Sequence, residues 1–396
     1  MDVLASIAGA ALVIAVWRAA VLTLVVARPA RSPILYTGWT TLVRAPIDLI
    51  ARRLPYQARD SLLAPVASVV MVSLVPFWLV LFWIGYGLLF EGLGRLSFRA
   101  SLREAGSSLF TLGFSAPAGG APTVLAFVAA GSGPLLIALL ISYLPTLYGA
   151  FNRRETEVSL LAGRGGTLAW GPEILLRYQW AGLRSELAIL YQDWERLMAD
   201  LAESHSSYPI LVQFRSPDSR RSWITSMMAV MDAAAIELAR TPSQAPGSSR
   251  LVITGGSSAL AAISRALGLP VVEDPLPTDP IGVSYAEFEQ AWQSLDAIGF
   301  PSETDPRTAY RHFQGWRVNW EPQAYRIARL VQAPPLVWTG PRDGNLDRLP
   351  RPAPRNRRPD DVEGRQPVRP TGANPFEYRT DKAKIDPVKP APDQSE

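Results

Sequence analysis

Three stretches in the first 155 residues are apolar with almost no charge within them. Val3 to Ala27 is interrupted only by Arg18, Leu62 to Phe90 has no charge although it carries Pro65 and Pro76, and no charged residue occurs from Ala105 to Asn152. A hydrocarbon core of about 30 Å needs about 20 helical residues at 1.5 Å each, so the first two stretches each predict one transmembrane helix. The third is too long for one crossing and too short for two crossings with a loop. It predicts a full helix from Thr123 to Phe151 preceded by a half-inserted segment.

Charge next to these runs sets the expected orientation. Arg28 to Asp60 contains Arg28, Arg31, Arg44, Arg52, Arg53 and Arg59 against two aspartates, and Asn152-Arg153-Arg154 closes the third run. By the positive-inside rule both flanks face the cytoplasm, which puts the N-terminus and the segment after Glu91 outside and the C-terminal region inside. Within the basic segment, Leu42, Ile47, Ile50 and Leu54 alternate with arginines as in a helix on the inner membrane surface, or else the segment is a solvated loop. The first run lacks the basic start and small-residue cleavage site of a signal peptide, and Arg18 within it is expected to snorkel or to pack against a partner group.

Beyond residue 155 the apolar period becomes that of amphipathic helices. Pro172 to Glu203 repeats leucine near helical spacing, and further helices are expected over Ser222–Arg240, Ser257–Leu267, Ser284–Ile298 and Arg307–Val331, between clusters of Pro, Gly and Ser. Trp316, Trp320 and Tyr325 read as core aromatics. From Pro334 to Glu396 the chain is rich in proline and charge and poor in large apolar groups, which predicts disorder. The expected layout is an N-terminal helix with a basic interfacial segment (1–61), a helix/loop/helix membrane module (62–155), a cytoplasmic all-α domain (156–333) and a disordered tail (334–396). The fold class is therefore an all-α membrane protein.

Composition narrows the chemistry. Cysteine is absent and the two histidines, His205 and His312, are far apart, which excludes disulfides and thiolate metal sites and argues against a histidine centre. A net charge of +4 over 396 residues is too dilute for nucleic-acid binding. Lysine occurs only at 382, 384 and 389, and that bias with abundant Ala and Pro points to a GC-rich bacterial genome. Neither an HExxH zinc motif nor a G-x-S-x-G elbow is present, so no enzyme activity is expected. Arg250 to Ser258 followed by Pro270 to Asp274 looks like strand, Gly turn, helix and strand, but it lacks the G-x-G-x-x-G spacing of a nucleotide site; a Ser-capped helix is the plainer reading. No cofactor is expected.

The half-inserted segment is the most informative. Ser97 to Phe110 is helix-compatible and leads into Thr111-Leu112-Gly113-Phe114-Ser115. Non-helical backbone at membrane depth is tolerated only where it lines water or is buried in protein. A short helix ending there points the negative end of its dipole inward, which favours cations.

These residues resemble the pore-loop family of potassium channels, in which an outer helix, a short pore helix, a Thr-Val-Gly-Tyr-Gly filter and an inner helix form one quarter of a tetrameric pore. The resemblance covers roughly residues 62–155. It implies that Thr111, Leu112, Gly113 and Phe114 are filter residues whose carbonyls replace the hydration shell of a monovalent cation, potassium in that family, with glycine supplying positive φ. It further implies an inner-helix bend at Gly131 and Gly133-Pro134, a homotetramer in the plasma membrane, and no metal beyond the permeating ion. Ser115 replaces the second filter glycine, so the outermost ion site is expected to be distorted. Glu91 and Glu104 stand near the expected outer mouth, where exposed carboxylates beside arginines are ordinarily solvated. The alternative is a membrane-anchored scaffold or sensor in which Gly113 only makes a turn.

Overall fold

Uncharged runs give the first half of the chain its long helices, and amphipathic runs give the second half its short ones. A computed structural model describes residues 2–26, 33–94, 96–115, 117, 119–166, 170–336 and 338, and among these every regular element is a helix. The first half comprises α1 (Asp2–Leu24), α2 (Ile34–Ala51), α3 (Tyr56–Leu63), α4 (Val66–Gly94), α5 (Phe98–Leu109) and α6 (Gly120–Gly165). Three stretches are long and apolar enough to cross a membrane: Val3–Leu24, Tyr56–Gly94 and Gly120–Gly165.

Each expected crossing overlaps one of these stretches; the first ends at Leu24, short of Ala27, which lies outside the described residues, and the third needs a correction. The third does not stop at Phe151: α6 runs for 46 residues, through Pro134 and Pro145, and its last turns pack on the helical region that follows. At 1.5 Å per residue it is about 70 Å long, more than twice a hydrocarbon core.

Helix α1 lies along α4, and backbone proximity sets that crossing. A Cβ on Gly9 would come within 2.6 Å of the Gly85 carbonyl oxygen, and one on Gly85 within 2.9 Å of Val13. Of the two readings of the basic segment, the helical one holds for residues 34–51. That helix is not separate from the crossings, because the Trp39 ring stacks on Phe77 of α4 at 4.3 Å and its Nε1 donates to Ser73 Oγ at 3.0 Å.

The second half comprises α7 (Gly171–Trp180), α8 (Leu187–Ser207), α9 (Trp223–Arg240), α10 (Gly247–Ala266), α11 (Tyr285–Ala297), α12 (Pro306–Arg317) and α13 (Glu321–Leu330). Helix α9 is its axis: every residue from Trp223 to Arg240 is buried. The expected Pro172–Glu203 helix is two helices, broken where Gly182 takes φ +72°. The Arg307–Val331 helix is likewise broken at Val318 to Trp320.

Helix α10 begins ten residues before the expected Ser257 start, and the strand reading of 250–256 fails. Its buried residues Val252, Ile253, Gly256, Leu260 and Ile263 form one helical face, and a Cβ on Gly256 would come within 2.5 Å of Met231 Sδ. Close packing on α9 thus overrides the β-propensity of Val252 and Ile253.

Trp320 is fully buried, with Trp316 and Tyr325 packed against the same core. The tail expected to be disordered lies mostly outside the described residues, but at its start Leu336 and Trp338 are buried in the core.

Candidate functional site

Helix α5 starts at Ser97, whose side chain accepts from the Ala100 amide, and lies between α4 and α6. Its depth can be traced along its neighbours. Leu102 packs on Gly87 of α4, and the Leu102 carbonyl accepts from Trp83 Nε1 at 2.7 Å. Gly106 lies one turn on, 3.3 Å from Trp83 Nε1 as measured from a Cβ placed there. The Leu109 carbonyl then abuts Gly133, where a Cβ would collide with the carbonyl oxygen. Gly133 is 13 residues into α6, so the C-terminal end of α5 meets α6 about 20 Å along the axis of that long apolar helix.

The chain turns there. Thr111 and Gly113 take φ +54° and +70°. Leu112 N donates to the Ser107 carbonyl at 2.8 Å and Gly113 N to the same oxygen at 3.4 Å, which caps the helix. Nothing crowds a Cβ at Gly113, so this glycine is required for its φ and not for space. Thr111 is β-branched, and holding it at positive φ costs about 1 kcal/mol or more. Its hydroxyl donates to the Phe110 carbonyl at 2.7 Å.

Residues 111–115 then run back along α5. Ser115 N donates to Ser107 Oγ at 3.0 Å, and Ser107 Oγ donates to the Ser115 carbonyl at 3.2 Å. Ser115 Oγ donates to Glu104 Oε2 at 2.5 Å. Glu104 is therefore not a solvated mouth carboxylate: it is 3% exposed, and its Oε1 has no hydrogen-bond partner among the described residues. Glu91 is half-buried near the end of α4.

The structure thus brings Thr111 to Ser115 into one loop packed on Glu104 and on Ser107, the latter not singled out by the sequence. Phe110, Leu112 and Phe114 are all exposed, and with Trp83 they line an apolar groove of about 580 Å³. Arg103 lies over the Phe114 ring at 5.5 Å. Gly131 and Pro134 are exposed on α6, which runs through both without a break, and Gly133 serves as the contact for Leu109.

A second polar cluster joins α6 to the helical region. Arg153 and Arg154 were read together as a membrane flank, but only Arg153 is exposed, paired with Asp200 at 2.8 Å. Arg154 is fully buried. It pairs with Glu155, donates to the Leu211 and Phe214 carbonyls, and contacts His205 Nε2 at 3.1 Å. Arginine only donates, so Nε2 accepts and the proton lies on Nδ1, 2.9 Å from Ser204 Oγ. Burial, with Arg154 adding to it, holds the His205 pKa well below the usual imidazole value. His312 lies apart on α12, and among the described residues no group of three or more His, Cys, Asp or Glu is placed to hold a metal. No family model, curated protein or solved structure matches the chain.

Proposed function

We propose that the chain is one subunit of a homotetrameric cation pore in the plasma membrane, with residues 111–115 as its ion-coordinating loop and the helical region on the cytoplasmic side as regulator. The observation that carries this reading is the depth of α5: it enters beside Gly87 and ends against Gly133, so its carbonyl dipole points into the apolar layer. The segment after it turns back outward beside Ser107 and Glu104, as a re-entrant filter must. Positive φ at alternate residues, Thr111 and Gly113, also fits a loop whose carbonyls share one direction. The exposed apolar groove around Phe110, Leu112 and Phe114 is a surface that a neighbouring subunit would cover.

The Ser107 carbonyl, accepting from two amides of the loop, favours a second reading as well. There the loop is an ordinary helix cap and the protein a membrane-anchored scaffold without conduction.

The experiment is cation flux through purified protein in liposomes, comparing wild type with Gly113→Val under potassium and sodium gradients and both voltage signs. The pore reading expects flux in wild type and its loss in a folded, inserted variant. Equal flux in both overturns the assignment of the loop, and no flux in either under any of these conditions favours the scaffold.

A further inference from the structure

A cavity away from α5 lies between α2, the first turns of α4 and the ends of α10 and α13, with a volume of about 770 Å³. Its two sides differ in chemistry. One is apolar and continuous with the crossing helix, through Leu63, Val66 and Val70. The other carries Arg44, Arg52, Arg215 and Arg329, with Asp48 as its one lining carboxylate.

These four arginines are not equally free. Arg215 is held by Asp60 at 2.5 Å and by the Val331 and Gln332 carbonyls. Arg44 lies 3.9 Å from Asp48, which also accepts from Gln332 at 3.3 Å. Arg52 and Arg329 are exposed and have no ion-pair partner among the described residues. One at the C-terminal cap of α2 and one on α13, they face a single cavity from opposite elements and leave it with uncompensated positive charge.

The surroundings select the ligand class. Leu49 of α2 lines the cavity, outside it α2 exposes Leu42 and Ile50, and the nearby face of α4 exposes Val69 and Val72. An occupant with an anionic head between Arg52 and Arg329 would lay its apolar portion along these residues. We infer that the cavity is a binding site for an anionic phospholipid, its phosphate held by Arg52 and Arg329 and its acyl chains against α2 and α4. The volume lies within the usual range for small-ligand sites, and basic pockets at the polar edge of a membrane bundle suit anionic headgroups. The inference does not depend on ion conduction, because the cavity shares no residue with the α5 loop.

The test is native mass spectrometry of the full chain in detergent, titrated with dioctanoyl phosphatidylglycerol, dioctanoyl phosphatidylcholine and glycerol 3-phosphate. Wild type is expected to retain phosphatidylglycerol at a concentration at least tenfold below that needed for phosphatidylcholine. Arg52→Gln with Arg329→Gln should lose that preference by tenfold or more, while Arg52→Lys with Arg329→Lys keeps most of it. Arg196→Gln with Arg311→Gln, at exposed positions on α8 and α12 away from the cavity, should leave it unchanged. Equal retention of the two lipids, or equal loss in the cavity and control variants, overturns the site. Displacement of phosphatidylglycerol by an equal concentration of glycerol 3-phosphate assigns the cavity to a soluble phosphate ester and overturns the lipid.

Discussion

The two halves of the molecule hold their helices together by different means. Among the crossing helices the close contacts are backbone to backbone, at Gly9 on Gly85 and at Gly133 on the Leu109 carbonyl. In the helical region Arg240 and Arg317 are fully buried and hold distant segments by hydrogen bonds. Arg317 binds Asp232 on α9, Glu321 on α13 and the Trp338 carbonyl; Arg240 binds Asp296 and the Phe300 and Pro301 carbonyls. Lipid offers helices no hydrophobic drive to associate, so small residues and close approach supply the attraction. Water supplies that drive to the second half, where a buried guanidinium with several acceptors can fix loops that have few apolar groups of their own.

The comparison can be broken most severely at Arg317. Arg317→Ala leaves Asp232 buried without its arginine and should cost about 3–5 kcal/mol. In thermal unfolding followed by tryptophan fluorescence, the helical region should melt early. A loss under about 1 kcal/mol would remove the distinction between the halves.

Glu237 tests the same region through pH. Burial pushes its carboxyl up to about 7, Tyr191 and Arg184 pulling more weakly the other way. Its folded pKa is above the unfolded one, so its stabilising contribution is full below about pH 4.5 and is lost as the pH rises to about 7, by about 3 kcal/mol. Glu237→Gln should flatten the dependence of apparent Tm on pH in that window. His205 works with the opposite sign: its depressed pKa makes stability fall as the pH drops below about 6.5, which Glu237→Gln should leave in place.

On the membrane side, Gly133→Ala should cost about 1–3 kcal/mol by forcing α5 from α6, and under the pore proposal flux should fall with it. The smallest effect is expected at Thr111. Thr111→Gly relieves a strained φ and should stabilise the protein by up to about 1 kcal/mol, and under the pore proposal it should reduce flux, because the hydroxyl and the fixed turn go together. Unchanged stability would mean that the strain is absorbed by neighbouring residues.

Much of this fold was legible because charge is so unevenly distributed. Uncharged runs located α1, α4 and α6, and α11 starts at the expected Ser284, where the structure shows a capping box with Glu287. Periodicity misled where glycine carried packing information. Gly255-Gly256 looked like a turn but lets α10 approach Met231, and Gly182 looked like helix interior but ends α7. At the loop, the sequence drew attention to Thr111 to Ser115, missed Ser107 and placed Glu104 in solvent instead of against the loop. Their link to Ser115 is made by side chains across two helical turns, with no apolar pattern to announce it. Arg154 was missed for a related reason: Arg153 and Arg154 are adjacent in sequence but about 100° apart around α6, one facing water and the other the core.

The length of α6 has a mechanical consequence. One continuous helix, its hydrogen-bonded ladder interrupted only at Pro134 and Pro145 between these points, carries Gly133 under the tip of α5 at one end and Arg154 in its buried cluster at the other. A straight helix has little axial slack, so a push of one residue's rise at Arg154, about 1.5 Å, reaches Gly133 as nearly the same displacement. Pro134 and Pro145, each of which removes a rung of that ladder, are the compliant points where such a shaft would bend. Pro145, between the two ends, sets how much of the load arrives.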